Sequence, residues 1–124
     1  MRDAIRDRLV QKLPEVGNRV MEPFMAGPTV EKPYIVIVFG GDVGTNIREG
    51  FDIPIRVWPY VDKTKFGNVD AIANKIRSAL MGRTLVTEDG YVFRLRYTGS
   101  GDDYYDPEWQ ALTKRLDFVT EVIR

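Results

Sequence analysis

The stretch Phe51-Asp52-Ile53-Pro54-Ile55-Arg56-Val57-Trp58-Pro59-Tyr60-Val61 decides how this 124-residue chain is read. Its period is two. Phe51, Ile53, Ile55, Val57 and Val61 share one face, and Asp52, Arg56, Trp58 and Tyr60 share the other. That pattern is a strand laid on a core. At about 3.3 Å per residue it spans roughly 36 Å, so it is expected to outreach the domain's own core. Pro54 and Pro59 each remove a ladder donor, and their odd spacing removes them on opposite sides of the strand. An edge position, a bulge or a projecting end resolves that conflict. Trp58 and Tyr60, facing outward, need cover from a helix of the same chain or from another subunit.

The neighbouring segments supply the rest of a sheet. Tyr34-Ile35-Val36-Ile37-Val38-Phe39 is an uninterrupted apolar run, which predicts a strand covered on both faces. Gly40-Gly41-Asp42 opens a loop running to about Arg48, and Arg19 to Glu22 has the form of a brief strand. On the C-terminal side, Val69, Ile72, Ala73, Ile76 and Leu80 make a helical stripe over 69–81, with Asn68 as N-cap and Gly82 just past the end. Thr84 to Thr87 and Tyr91 to Thr98, joined by Glu88-Asp89-Gly90, read as a hairpin. Over 111–122, Leu112, Leu116, Val119 and Ile123 fit a helical stripe, while Leu112, Leu116, Phe118 and Val122 share a strand face. Strand formers at Phe118-Val119-Thr120 favour the strand, with a turn near 107–110 where Asp106-Pro107-Glu108 resembles a helix start. At the N-terminus Ile5, Leu9 and Leu13 predict a short amphipathic helix stopped by Pro14. The expected fold is α+β: a mostly antiparallel sheet of about four to five strands, with the N-terminal helix and one central amphipathic helix packed on it, in a single domain over 1–124.

Composition removes most chemistry. The chain has no Cys and no His, which excludes cysteine nucleophiles, disulfides, histidine bases and nearly every zinc site. Eighteen basic residues balance eighteen acidic ones, so no broad nucleic-acid surface is expected, and self-association meets little electrostatic resistance. No apolar run reaches the ~20 residues of a membrane span. Charges fill Met1-Arg2-Asp3-Ala4-Ile5-Arg6-Asp7-Arg8, where a signal peptide is apolar, so the chain is expected to fold in a cytoplasm.

Asp102, Asp103, Asp106 and Glu108 gather four carboxylates, but their spacing matches no calcium loop. With Gly99-Ser100-Gly101 before them and Tyr104-Tyr105 among them, they read first as a solvated loop, and next as an acidic, aromatic docking loop for a protein partner. Gly40-Gly41-Asp42-Val43-Gly44 follows a strand but lacks the Lys-Ser/Thr pair and the helix start of a phosphate loop. Arg94, Arg96, Lys114 and Arg115 read as surface or interface pairs among interleaved acids. No catalytic residue, cofactor site or metal site is assigned. Edge-prone strands and outward aromatics suit interaction better than turnover.

One family shares this order. A short N-terminal helix precedes Arg19-Val20 and a Pro/Gly loop; Lys32-Pro33-Tyr34-Ile35-Val36 opens the first long strand, and the Phe51-to-Tyr60 strand follows. Then come the Ile72-to-Leu80 helix ending in Met81-Gly82 and a closing strand around Leu116-Asp117-Phe118. Along nearly its whole length the chain resembles the tail terminator, or tail completion, proteins of long-tailed bacteriophages. The resemblance implies a virion structural protein at the head-tail interface, assembled in the host cytoplasm. Its subunits form a homo-oligomeric ring, about six-fold, on the tail tube protein; the ring stops tube growth and receives a head-completion (stopper) protein. The family carries no catalytic residues to transfer. From outward aromatic or charged residues on long or edge elements, the expected subunit and partner contacts are Arg48, Trp58, Tyr60, Asp102, Asp103, Tyr104 and Tyr105. A related neck or minor capsid component and a small non-viral protein-binding module are the alternatives.

Overall fold

The computed structural model describes residues 2–27, 29–39, 53–62, 64, 66–88 and 90–123. The glycine-rich segment after Phe39, with Arg48, and Phe51 and Asp52, which the alternation assigns to the strand, lie outside the described residues. Helix α1 (Arg2–Lys12) is followed by strands β1 (Val20–Met21), β2 (Tyr34–Phe39) and β3 (Pro54–Asp62). Helix α2 (Phe66–Leu80) then leads to β4 (Thr84–Val86), β5 (Val92–Asp106) and β6 (Ala111–Ile123). Single 3₁₀ turns at Pro14–Val16 and Pro23–Met25 flank β1.

Among the described residues the strands form one sheet in the order β1-β2-β3-β6-β5-β4. β1 runs parallel to β2, and every other neighbour is antiparallel. The α+β class holds, but the expected four to five mostly antiparallel strands become six in a mixed sheet. Val20-Met21 makes the difference. It is too short to show a period, and it is held by contacts distant in sequence. The Ile35 amide donates to the Arg19 carbonyl (2.9 Å), and Arg19 Nε donates to the Pro33 carbonyl (3.1 Å). The region over 111–122 is a strand, with a turn at 107–110.

Both helices lie on one face of the sheet. Ile5 and Leu9 of α1, with Val69, Ile72, Ala73, Ile76 and Leu80 of α2, pack over Ile35, Ile37, Ile55, Val57, Phe93, Leu95, Leu116 and Phe118. The stripe predicted for α2 is its buried face, although the helix begins at Phe66, before the expected Asn68 cap. It ends as expected. Gly82 adopts φ 68°, and its amide donates to the Leu95 carbonyl (3.0 Å), turning the chain back onto the sheet. Each large side chain buried in this layer is worth roughly 1.5–3 kcal/mol relative to exposure.

β3 is central, between β2 and β6, and it accommodates both prolines without a bulge. Pro54 lies one residue beyond the last described β2–β3 pair, Phe39↔Ile55, so no described residue of β2 stands opposite its missing donor. At Pro59 the β3–β6 ladder breaks between Val57↔Leu116 and Tyr60↔Thr113 and resumes in the same register. A proline at this depth therefore costs one local interruption. At the other end Thr120, fully buried, accepts the Ile53 amide at Oγ1 (3.0 Å) and extends the pairing.

Candidate functional site

The sheet's second face is covered only in part. Tyr34, Val36, Tyr60 and Ala111 form a small separate core, packed by Met21, Ala26, Val30, Val38, Trp58 and Trp109. Tyr34 and Tyr60 stack with ring centroids 5.0 Å apart, and Trp109 closes over Tyr60 at 4.7 Å. Within the chain, cover for Trp58 and Tyr60 comes not from a helix but from the segment around Ala26 and Val30 and from the β5–β6 turn. Tyr60 is accordingly 6% exposed and Trp58 half-buried, which corrects the expectation of two outward aromatics. Burial, with the Asp106 carboxylate nearby, pushes the Tyr34 hydroxyl up to about 12 and raises that of Tyr60 above its ordinary value.

Asp106 also builds the turn that brings Trp109 there. Its Oδ1 accepts the amides of Glu108 (3.0 Å) and Trp109 (3.1 Å), an Asx turn in which the side chain replaces a backbone acceptor. Gln110 completes the turn with φ 50°.

Asp102, Asp103, Tyr104 and Tyr105 are on a strand, where a solvated loop was expected. β5 runs through Gly99 and Gly101 by means of two bulges, between Tyr97 and Gly99 and between Ser100 and Asp103. Gly99 sits at φ 150°, a conformation that L residues rarely adopt. Past the bulges β5 pairs regularly with β6: Asp103↔Lys114, Tyr104↔Thr113, Tyr105↔Leu112. On its other side β4 reaches only Val92, Phe93 and Arg94, and Met81 bridges Leu95. From Arg96 to Asp106, roughly 35 Å of strand, no described strand pairs with the outer edge.

The predicted site residues thus separate. Tyr60 and Tyr104 flank Thr113 from its two neighbouring strands, in a row Tyr34, Tyr60, Thr113, Tyr104 across the sheet. Tyr104 and Tyr105, 54% and 41% exposed, leave the edge on opposite faces. Asp103 lies 3.8 Å from Lys114, which also reaches Asp70 of α2 at 3.5 Å. Asp102 is exposed within the second bulge. Arg48 lies outside the described residues. The basic stripe resolves into surface pairs, Arg96 with Glu121 (2.8 Å) and Arg115 with Asp117 (3.0 Å). Sequence reasoning missed Trp109 and the strand edge. The signal for the edge was the Tyr104-Tyr105 pair beyond two glycines, which suits a bulged strand as well as a loop.

The outer half of β5 offers, among the described residues, a strand edge that no described strand pairs with, the exposed phenols of Tyr104 and Tyr105, and the Asp103 carboxylate beside Lys114. Among the described residues no group of three or more acidic side chains converges on a point, and no helix is long and apolar enough to cross a membrane.

No protein-family model and no curated protein sequence matches the chain. Among solved structures, the fold is similar to that of a chain from the virion of a native gene transfer agent particle. The TM-score is 0.71 at 18% sequence identity, over 98% of this chain and 93% of that one. That likeness shows a shared fold, end to end.

Proposed function

We propose that this chain is a virion structural protein, and specifically a tail terminator: a subunit that closes a ring on the tail tube, stops its polymerisation and receives the head-completion protein. The observation that carries the reading is the end-to-end fold likeness to a chain of a virion particle. It agrees in kind with the order of segments that resembles the tail terminator family.

The mechanism follows from shape rather than turnover. A ring forms when heterologous contacts repeat through a closing angle; a polymer ends when the last ring offers no further tube-like face. The outer half of β5, with Asp102, Asp103, Tyr104 and Tyr105, is the surface this reading uses for contacts. Partly buried Trp58 contributes at most its exposed rim, and Tyr60 supports the hairpin from inside.

The test is genetic and visual. In a virus or particle lacking this chain, electron microscopy is expected to show overlong tubes without heads, restored to normal length by the wild-type chain. Tubes of normal length with heads attached, in its absence, would refute the role. Normal tubes beside empty or leaking heads would instead indicate the neck or head-completion alternative.

A further inference from the structure

The chain is neutral as a whole, yet its described surface separates the charge. A groove of about 380 Å³ between α1 and α2 is lined by Arg8, Lys12, Lys75 and Arg83 and by no acidic side chain. Two of these are fixed by their own chain: Arg8 Nε donates to the Ala79 carbonyl (3.0 Å), and Lys75 to Glu15 Oε2 (2.5 Å). Lys12 and Arg83 are exposed and have no ion-pair partner among the described residues. The opposite charge collects at the far end of the β5–β6 hairpin, where Asp102, Asp103, Asp106 and Glu108 occur within seven residues containing no cation. Asp102 and Glu108 carry no ion pair among the described residues.

The two patches lie toward opposite ends of α2. Asp70, near its start, meets Lys114 beside Asp103, whereas the groove begins at Asn74 and continues past Ala79. Asp70 and Ala79 are about 13 Å apart along the helix axis, so a chain's acidic end is displaced from its own groove. A two-fold contact of like patches would set carboxylates against carboxylates. A reciprocal two-fold contact or a head-to-tail repeat satisfies both; only the head-to-tail form generates rings or filaments, and the ring reading above selects it. The groove's volume suits a few side chains of a hairpin end rather than a folded domain.

We infer that the acidic end of the β5–β6 hairpin of one copy, carrying Asp102 and Glu108, docks in the cationic α1–α2 groove of the next. The inference deepens the ring reading above, and it rests on that reading for the partner being a second copy of this chain.

A charge swap tests it. Lys12→Glu with Arg83→Glu reverses the groove, and Asp102→Lys with Glu108→Lys reverses the hairpin end; all four positions are exposed. Each double variant alone is expected to self-associate at least about tenfold more weakly than wild type by light scattering. The equimolar mixture regains assembly, because each reversed surface now meets its complement, and native mass spectrometry should show equal numbers of the two. Circular dichroism confirms that each variant is folded. Should either fail to fold, salt titration of the wild-type protein decides: a head-to-tail charge contact weakens steadily as salt rises, and assembly indifferent to salt overturns it.

Either variant assembling like wild type, or a folded mixture that stays dissociated, overturns the contact while leaving the ring reading intact. Wild-type protein that remains monomeric overturns both. A ~30-base-pair DNA duplex provides the remaining control. If it binds wild type but not the groove variant, and self-association is unchanged, the groove serves a nucleic acid and the proposal fails.

Discussion

The two halves of β5 differ in almost everything except the strand they share. In the first half, Phe93 and Leu95 are fully buried under α2, and β4 covers the outer edge. In the second, two bulges, an outer edge that no described strand pairs with and the exposed Tyr104 and Tyr105 leave pairing with β6 as the principal restraint among the described residues. A strand can therefore be specified in two ways: by an apolar face that demands burial, or by a partner strand that is itself buried. Leu112, Leu116 and Phe118 of β6 are core residues, and they hold the second half of β5 in place without requiring core residues from it.

If that division is right, the largest effect belongs to the first half. Phe93→Ala should cost about 3–5 kcal/mol in chemical denaturation, the usual range for emptying a fully packed phenylalanine site. Trp109→Ala comes next, at roughly 1–3 kcal/mol, because it uncovers Tyr34 and Tyr60 and loosens the hairpin end. Hydrogen exchange should then quicken over 104–112 and remain slow at Phe93. Equal quickening in both halves would mean that β5 behaves as one unit.

The third effect is a pH dependence. The Tyr34 hydroxyl is raised to about 12 by burial, against about 10 in the unfolded chain, so the folded state holds this proton more tightly. Its contribution is complete below pH ~10 and is lost as pH rises from ~10 towards 12, where the unfolded chain ionises first. Tyr34→Phe should flatten that alkaline decline in urea titrations. An unchanged slope would place the sensitivity elsewhere.

The smallest effect tests the second half. Asp102→Asn with Tyr104→Ser should change the stability of the isolated chain by no more than about 0.5 kcal/mol, as exposed positions do, while weakening self-association. A loss of several kcal/mol would show that these residues serve the fold instead.

The same division explains what could be read from the residues. Where a segment buries one face, its period announces it. Ile5-Leu9-Leu13, the α2 stripe, Tyr34 to Phe39 and the choice of strand over 111–122 all stand as read. Arg19 to Glu22 reads as a brief strand, but Val20-Met21 is too short for a period to show that it lies parallel beside β2. The second half of β5 reads as a loop from its residues alone, because glycine at 99 and 101 and the acids at 102 and 103 signal a loop when seen without their partner strand. Tyr60 was placed outward by correct alternation; what alternation cannot show is Trp109, distant in sequence, folding back over that face. The acidic, aromatic run was legible as a cluster of unusual residues, and its place on a bulged strand was not.

The central claim is that copies of this chain close into a ring, and mass in solution tests it most directly. Native mass spectrometry of the wild-type chain, across a concentration series at low salt, should give one dominant closed stoichiometry, about six copies, with no ladder of larger species. A monomer at every concentration, or an open-ended series of sizes, would contradict it.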